Sequence, residues 1–194
     1  MVTVDEKFPE FSLETYNPKG DEIERISLGD FASKWLVLFF YPADFTFVCP
    51  TEIVDLHRRH DEFKKLGAEV VVASTDTVWS HKAWIEAEEI LKGLQCTMAA
   101  DHNGRVSHTL GIYDPEKGLA QRATFIVDPD GILRSMEVVA NEIGRNASEI
   151  IRKIKALKFV RENPGHVCPA NWDEGSATLQ PSIKKSGKVS KSWK

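Results

Sequence analysis

Residues 35–41, Trp-Leu-Val-Leu-Phe-Phe-Tyr, are apolar without a break. The run is far too short to span a bilayer. It does not alternate, so it does not read as a half-exposed strand. It reads as a central strand buried on both faces. The neighbouring segments agree. From Cys49 to Leu66, apolar residues recur at Ile53, Leu56, Phe63 and Leu66 with polar residues between them, which is helical spacing. Gly67 stops that helix, and residues 68–75, AEVVVAST, read as a second buried strand. Residues 35–75 are therefore a β-α-β unit with parallel strands.

The rest of the chain extends this pattern. Residues 78–94 read as an amphipathic helix. Residues 123–139 read as two strands around Asp128-Pro129-Asp130-Gly131, a hairpin signal. Residues 146–163 predict a strong helix, with Asn146 as its cap and Glu149 three residues on, as in a capping box. Together these predict a thioredoxin-like α/β sandwich. After Pro164 the sequence turns loop-like, so the expected organisation is a domain over 1–163 and a C-terminal segment with a flexible tail over 164–194. From Lys184 the tail carries no acidic residue, one aromatic (Trp193) and no arginine. That composition predicts a solvated end and not a nucleic-acid patch. Lys and Arg number 25 against 29 Asp and Glu, a net charge of −4, so no basic field recruits nucleic acid. The first residues lack a secretory pattern and no stretch suits a membrane span, so a cytoplasmic location is expected.

Three cysteines, Cys49, Cys96 and Cys168, are too few and odd in number for a disulfide scaffold. Cys49 lies in YPADFTFVCPTE (41–52), between the apolar strand and the first helix. A thiol there is a core residue, half of a disulfide, a metal ligand or a nucleophile. Pro50 suits the first helical position, which sets Cys49 at the helix N-terminus. Unpaired N–H groups and the positive end of the helix dipole stabilise a thiolate there. Thr46 can supply a hydroxyl to orient it, and Pro42 and Pro50 stiffen the loop.

Pro42, Thr46 and Cys49 stand in the register Pro-x-x-x-Thr-x-x-Cys, which resembles the active-site signature of the peroxiredoxins. The wider stretch FFYPADFTFVCPTE resembles the typical 2-Cys subgroup, the bacterial alkyl hydroperoxide reductases above all. HVCPANW (166–172) resembles its resolving-cysteine segment, and RATFIVDPDG (122–131) supplies the family's arginine, Arg122. The resemblance implies a peroxidase in which Cys49 becomes sulfenic acid. Arg122 and Thr46 hold thiolate and peroxide, Pro42 shields the pocket, and Glu52 supports Arg122. Cys168, carried by the C-terminal extension of a second subunit, then forms a disulfide with Cys49. It also implies a homodimer assembling into a decamer of five dimers, and an external dithiol reductase, either a flavoprotein or thioredoxin-like. No metal, haem or flavin is called for. Residues 113–121, YDPEKGLAQ, stand where easily over-oxidised members carry Gly-Gly-Leu-Gly, and the tail lacks their Tyr-Phe pair, which implies the robust type.

Other readings compete. A thiol-disulfide oxidoreductase lacks its second cysteine, since the sequence after Cys49 is Pro-Thr-Glu. A cysteine hydrolase would need a nearby base, yet His57 and His60 lie further along the helix. As a metal pair those two histidines are outweighed by an ordinary helix face. Cys96 reads as packed and inert. A holdase chaperone or redox-relay role on the same ring is the alternative of another class.

Overall fold

A computed structural model describes residues 2–191 of the 194-residue chain. Trp193 lies outside the described residues. The chain forms two compact units, divided between Ala147 and Ser148.

The elements of the first unit are β1 (Ser12–Asn17), β2 (Glu22–Ser27), β3 (Trp35–Phe40), α1 (Cys49–Arg58), α2 (His60–Lys65), β4 (Ala68–Ser74), α3 (Val78–Ala87), β5 (Thr97–Ala100), α4 (Arg105–Leu110), β6 (Tyr113–Asp114), β7 (Leu119–Ala120), β8 (Arg122–Val127) and β9 (Leu133–Val139). Seven strands form one sheet in the order β2-β1-β5-β4-β3-β8-β9, and β6 pairs with β7 apart from it. All six residues of β3 are buried. It pairs in parallel with β4 and antiparallel with β8, so the continuous apolar run has a strand on each side. Leu36, Leu38 and Phe40 enter a core with Phe8, Val71, Ala73, Phe125 and Leu133. The period of two sends Val37 and Phe39 to the opposite face.

The helices depart from the sequence reading in two places. The expected helix over 49–66 is two helices. At Arg59 the ladder tightens, with its N–H donating to Leu56 O at 3.2 Å, before α2 resumes. The helix expected over 78–94 ends at Ala87. Glu88 is extended, and a 3₁₀ turn over Glu89–Leu91 carries Leu91 into the interior while Ile90 stays exposed. Gly67 closes α2 at φ +70°, as expected. The β8–β9 hairpin turns at Asp128–Gly131. Asp128 Oδ1 accepts the N–H groups of Asp130 and Ile132 at 2.9 and 3.0 Å, and Gly131 takes φ +77°. The β1–β2 ribbon, α4 and the β6–β7 pair were not expected from the sequence.

The second unit holds most of α5 (Ala147–Glu162) and the segment after it. Trp172 packs its ring 5.1 Å from Phe159 and donates its Nε1–H to Ser176 O at 3.1 Å. Val167 and Leu179 exchange backbone bonds of 2.8 and 3.0 Å, which tie the segment around Cys168 to the strand-like run before Pro181. Residues 181–190 are exposed, with short 3₁₀ turns at Ile183–Lys185 and Val189–Lys191. Among the described residues, no helix is long and apolar enough to cross a membrane.

Candidate active site

β3 ends at Phe40, and the chain turns through residues 41–48 before α1 begins. Tyr41 and Pro42 are buried where the loop leaves the sheet. Phe45 takes φ +55°, a left-handed conformation uncommon for a bulky residue. Cys49 itself is the first residue of α1 and Pro50 the second, one position later than the sequence suggested. The proline still replaces a helix-start N–H that would have no partner within the helix. Cys49 is 0% exposed.

Strand register brings the arginine to the sulfur. Phe40 pairs with Ala123, so Arg122, the first residue of β8, stands beside the chain as it leaves β3. Its Nη1 donates to Cys49 Sγ at 3.4 Å and to Glu52 Oε2 at 2.5 Å. Nε and Nη2 both donate to Asn141 O, at 3.2 and 2.8 Å, which fixes the plane of the guanidinium. Burial alone pulls the Arg122 pKa down. The bond and charge of Cys49, together with Glu52, outweigh it and raise the value. A donor bond to sulfur strengthens as the sulfur gains negative charge.

Glu52 pairs with two arginines. It accepts a bond from Arg122 and it also holds Arg145, which the sequence reading missed. Glu52 Oε1 accepts the Arg145 backbone N–H at 2.7 Å and its Nε at 2.9 Å. Oε2 accepts Arg145 Nη2 at 3.3 Å. The Arg145 guanidinium also donates to Thr124 Oγ1 and Phe40 O, at 3.0 and 2.9 Å, and stacks 3.4 Å over the Phe39 ring. Burial pushes the Arg145 pKa down, and Glu52 opposes that fall. The one local signal for this residue is Gly144. A Cβ there would sit 3.3 Å from Val48 Cγ1 and 3.6 Å from Glu52 Cγ, so glycine lets this backbone approach α1 closely.

The structure thus brings Cys49, Glu52 and Arg122 together at one end of the sheet. The Thr46 hydroxyl lies in the same loop, but it donates to Ala43 O at 2.9 Å and braces the turn. Cys168 belongs to the second unit. Its Sγ lies 3.9 Å from Ala156 O, and burial raises the thiol pKa against the opposing charge of Arg152. All three cysteines are free thiols. Burial pushes Cys96 up to about 12, which suits an inert packed thiol. Among the described residues, no three or more His, Cys, Asp and Glu side chains group as a metal site. The sulfur at the start of α1 is thus touched by a guanidinium held in a fixed plane and is closed off from bulk water.

Comparisons with known proteins point the same way. Residues 4–136 match the AhpC/TSA family, and residues 156–189 match the C-terminal domain of 1-Cys peroxiredoxin. Alkyl hydroperoxide reductase C of Staphylococcus haemolyticus is 43% identical over 97% of this chain and 100% of its own length. The protein of that name from Staphylococcus aureus is 42% identical over the same shares. Among solved structures, reduced 2-Cys peroxiredoxin from Plasmodium vivax superposes with a TM-score of 0.89 at 30% identity, covering 95% of this chain and 96% of that one. Enterococcus faecalis AhpC gives 0.82 at 40% identity, covering 87% and 100%.

Proposed function

This chain belongs to the AhpC/TSA family and is a thiol-dependent peroxidase, and we propose that Cys49 is its peroxidatic cysteine and Cys168 its resolving cysteine. The observation that carries the first assignment is the contact of Arg122 Nη1 with Cys49 Sγ at the first turn of α1, backed by Glu52. In this reading the Cys49 thiolate attacks one oxygen of a hydroperoxide. An S–O bond forms, the O–O bond breaks, and the departing alkoxide or hydroxide takes a proton and leaves as alcohol or water. Arg122 stabilises the charge growing on that oxygen. Pro42 keeps water from the loop, and Thr46 holds the turn and offers its hydroxyl oxygen to the site. Hydrogen peroxide and alkyl hydroperoxides share the –O–O– unit and are both substrates.

The sulfenic acid is then attacked by Cys168 of a second copy. An S–S bond forms and water leaves. Cys49 is fully buried, so the first turn of α1 unwinds for this step, a local opening that costs far less than global unfolding. An external dithiol, on a flavoprotein or a thioredoxin-like carrier, reduces the disulfide, and the cytoplasm is the compartment that sustains such a donor. Family members generally oligomerise. A homodimer and a decamer of five dimers fit two surfaces of the first unit. The edge strand β9 exposes Met136 and Val138, and Phe45, Phe47 and Trp79 are exposed around the catalytic loop. The relatives' names favour a peroxidase over a holdase or relay.

One equivalent of hydrogen peroxide added to reduced protein, followed by a non-reducing denaturing gel, tests this. Wild type gives a band at twice the 21.8 kDa chain mass, and Cys49→Ser and Cys168→Ser both lose it. Monomer bands with peroxide still consumed place the resolving thiol within the same chain or on another molecule, and the role of Cys168 of a second copy fails.

A further inference from the structure

Behind the catalytic loop lies a buried polar cluster that the chemistry above does not use. Tyr41, Asp44 and His81 are 0%, 7% and 0% exposed. The Tyr41 hydroxyl donates to Asp44 Oδ1 at 2.7 Å. His81 Nδ1 lies 2.9 Å from Asp44 Oδ2, and its Nε2 lies 3.2 Å from Ala99 O. The Asp44 N–H donates to Asp76 Oδ2 at 2.9 Å, and Ser74 Oγ donates to that same oxygen at 2.7 Å. Trp84, three residues after His81 on α3, sets its ring 5.9 Å from Tyr41 and 6.2 Å from Phe45. Together these ties run from β4, β5 and α3 to the loop between β3 and α1. Within that loop, Phe45 keeps its left-handed backbone, and such a conformation persists where the surroundings over-determine it.

We propose that Tyr41, Asp44 and His81 are positioning residues that clamp the β3–α1 loop, hold Cys49 against Arg122, and set how often the loop lets go. The proposal rests on the peroxidase reading above. Oxidation needs the loop closed, because the sulfur must lie under Arg122. Disulfide formation needs it open, because a fully buried sulfur cannot meet another cysteine. A single clamp therefore acts on the two steps with opposite signs, and Asp44 is its hub because it joins loop, tyrosine and histidine. A residue with only a general structural role would not produce that opposition.

Stopped-flow tryptophan fluorescence of reduced full-length protein mixed with hydrogen peroxide reads oxidation and disulfide formation as successive phases. The variants are Tyr41→Phe, which removes one hydroxyl and keeps the ring, and Asp44→Asn, which keeps the shape of the hub. Ile112→Val, in the core cluster with Phe8 and Leu110, is the control for general loss of stability. In both loop variants oxidation slows about tenfold, the scale expected for losing a hydrogen bond to a charged acceptor, while disulfide formation speeds up. Ile112→Val keeps both wild-type rate constants. Loop variants with both phases unchanged, or with both slowed, overturn the clamp while wild type still turns over peroxide. If wild type itself shows no Cys49-dependent phase, the peroxidase assignment is what has failed, and the clamp falls with it.

Discussion

Replacing Glu52 with glutamine isolates what one buried carboxylate does for two arginines. Glu52 takes one bond from Arg122 and three from Arg145. The arginine side chains are only 3% and 2% exposed, so neither charge has water to fall back on. Glutamine keeps the shape and one carbonyl oxygen. Its amide nitrogen, however, turns a donor toward a guanidinium donor, and both buried cations lose the carboxylate they share. Removing one partner of a buried ion pair costs about 3–5 kcal/mol. The retained oxygen puts the expected loss near the low end, about 3 kcal/mol. For a chain of this size that lowers Tm by about 6–12 °C. Arg122 keeps its two bonds to Asn141 O but loses the brace on the side facing Cys49. A shift of about 1 Å in a group that touches the reacting atoms costs about a hundredfold in rate. Urea unfolding of the reduced protein followed by circular dichroism gives the stability, and peroxide consumption with excess dithiol gives the rate. A Glu52→Gln protein within about 1 kcal/mol of wild type, with an unchanged rate, refutes the view that this charge organises the site.

Cys96 should be invisible to alkylation in the folded protein. With its thiol pushed up to about 12, only about one part in ten thousand is thiolate at pH 8, so mass spectrometry should find iodoacetamide on it only after denaturation. Because the shift is upward, raising the pH increases its labelling, and fast native labelling at pH 8 contradicts the burial. Gly104→Ala should destabilise by about 1–3 kcal/mol: the residue sits at φ +68°, and its new Cβ would lie 2.8 Å from the Tyr113 ring. Wild-type stability in a denaturant titration would mean that Tyr113 moves away freely. Residues 113–121 form the short β6–β7 pair and not a glycine-rich insertion. Excess peroxide should accordingly leave disulfide as the dominant product by mass, and sulfinic acid at low stoichiometry would count against the robust type.

The sequence carried those parts of the molecule that rest on local pattern. A continuous apolar run, a helical repeat and a second apolar run leave little choice but β3, α1–α2 and β4. Asp-Pro-Asp-Gly is a turn because its side chains bond its own backbone, as Asp128 does. The end of a helix is less local. Nothing in residues 78–94 marks Glu88 as extended, and Leu91 reaches the interior from a 3₁₀ turn as well as it would from a helix. Cys49, Thr46, Pro42 and Arg122 were singled out by spacing and resemblance. Arg145 and His81 were not. Arg145 bonds Glu52 across 93 residues and His81 bonds Asp44 across 37. No window of sequence records such pairings, and an arginine or histidine is ordinarily a surface residue.

The ladder between β3 and β8 also decides which accidents of inheritance this enzyme survives. Arg122 reaches the sulfur because Ala123 faces Phe40, the last strand residue before the loop that contains Pro42. A residue gained or lost in the Asp128–Gly131 turn lengthens or shortens the hairpin at its far end and leaves that pairing untouched. A residue gained or lost inside β8 swings the whole strand by one face and carries the arginine to the wrong side of the sheet. Among descendants of this gene, length variation should therefore collect at the hairpin tip and vanish between Arg122 and Val127, a boundary about one strand long between tolerated drift and a dead protein.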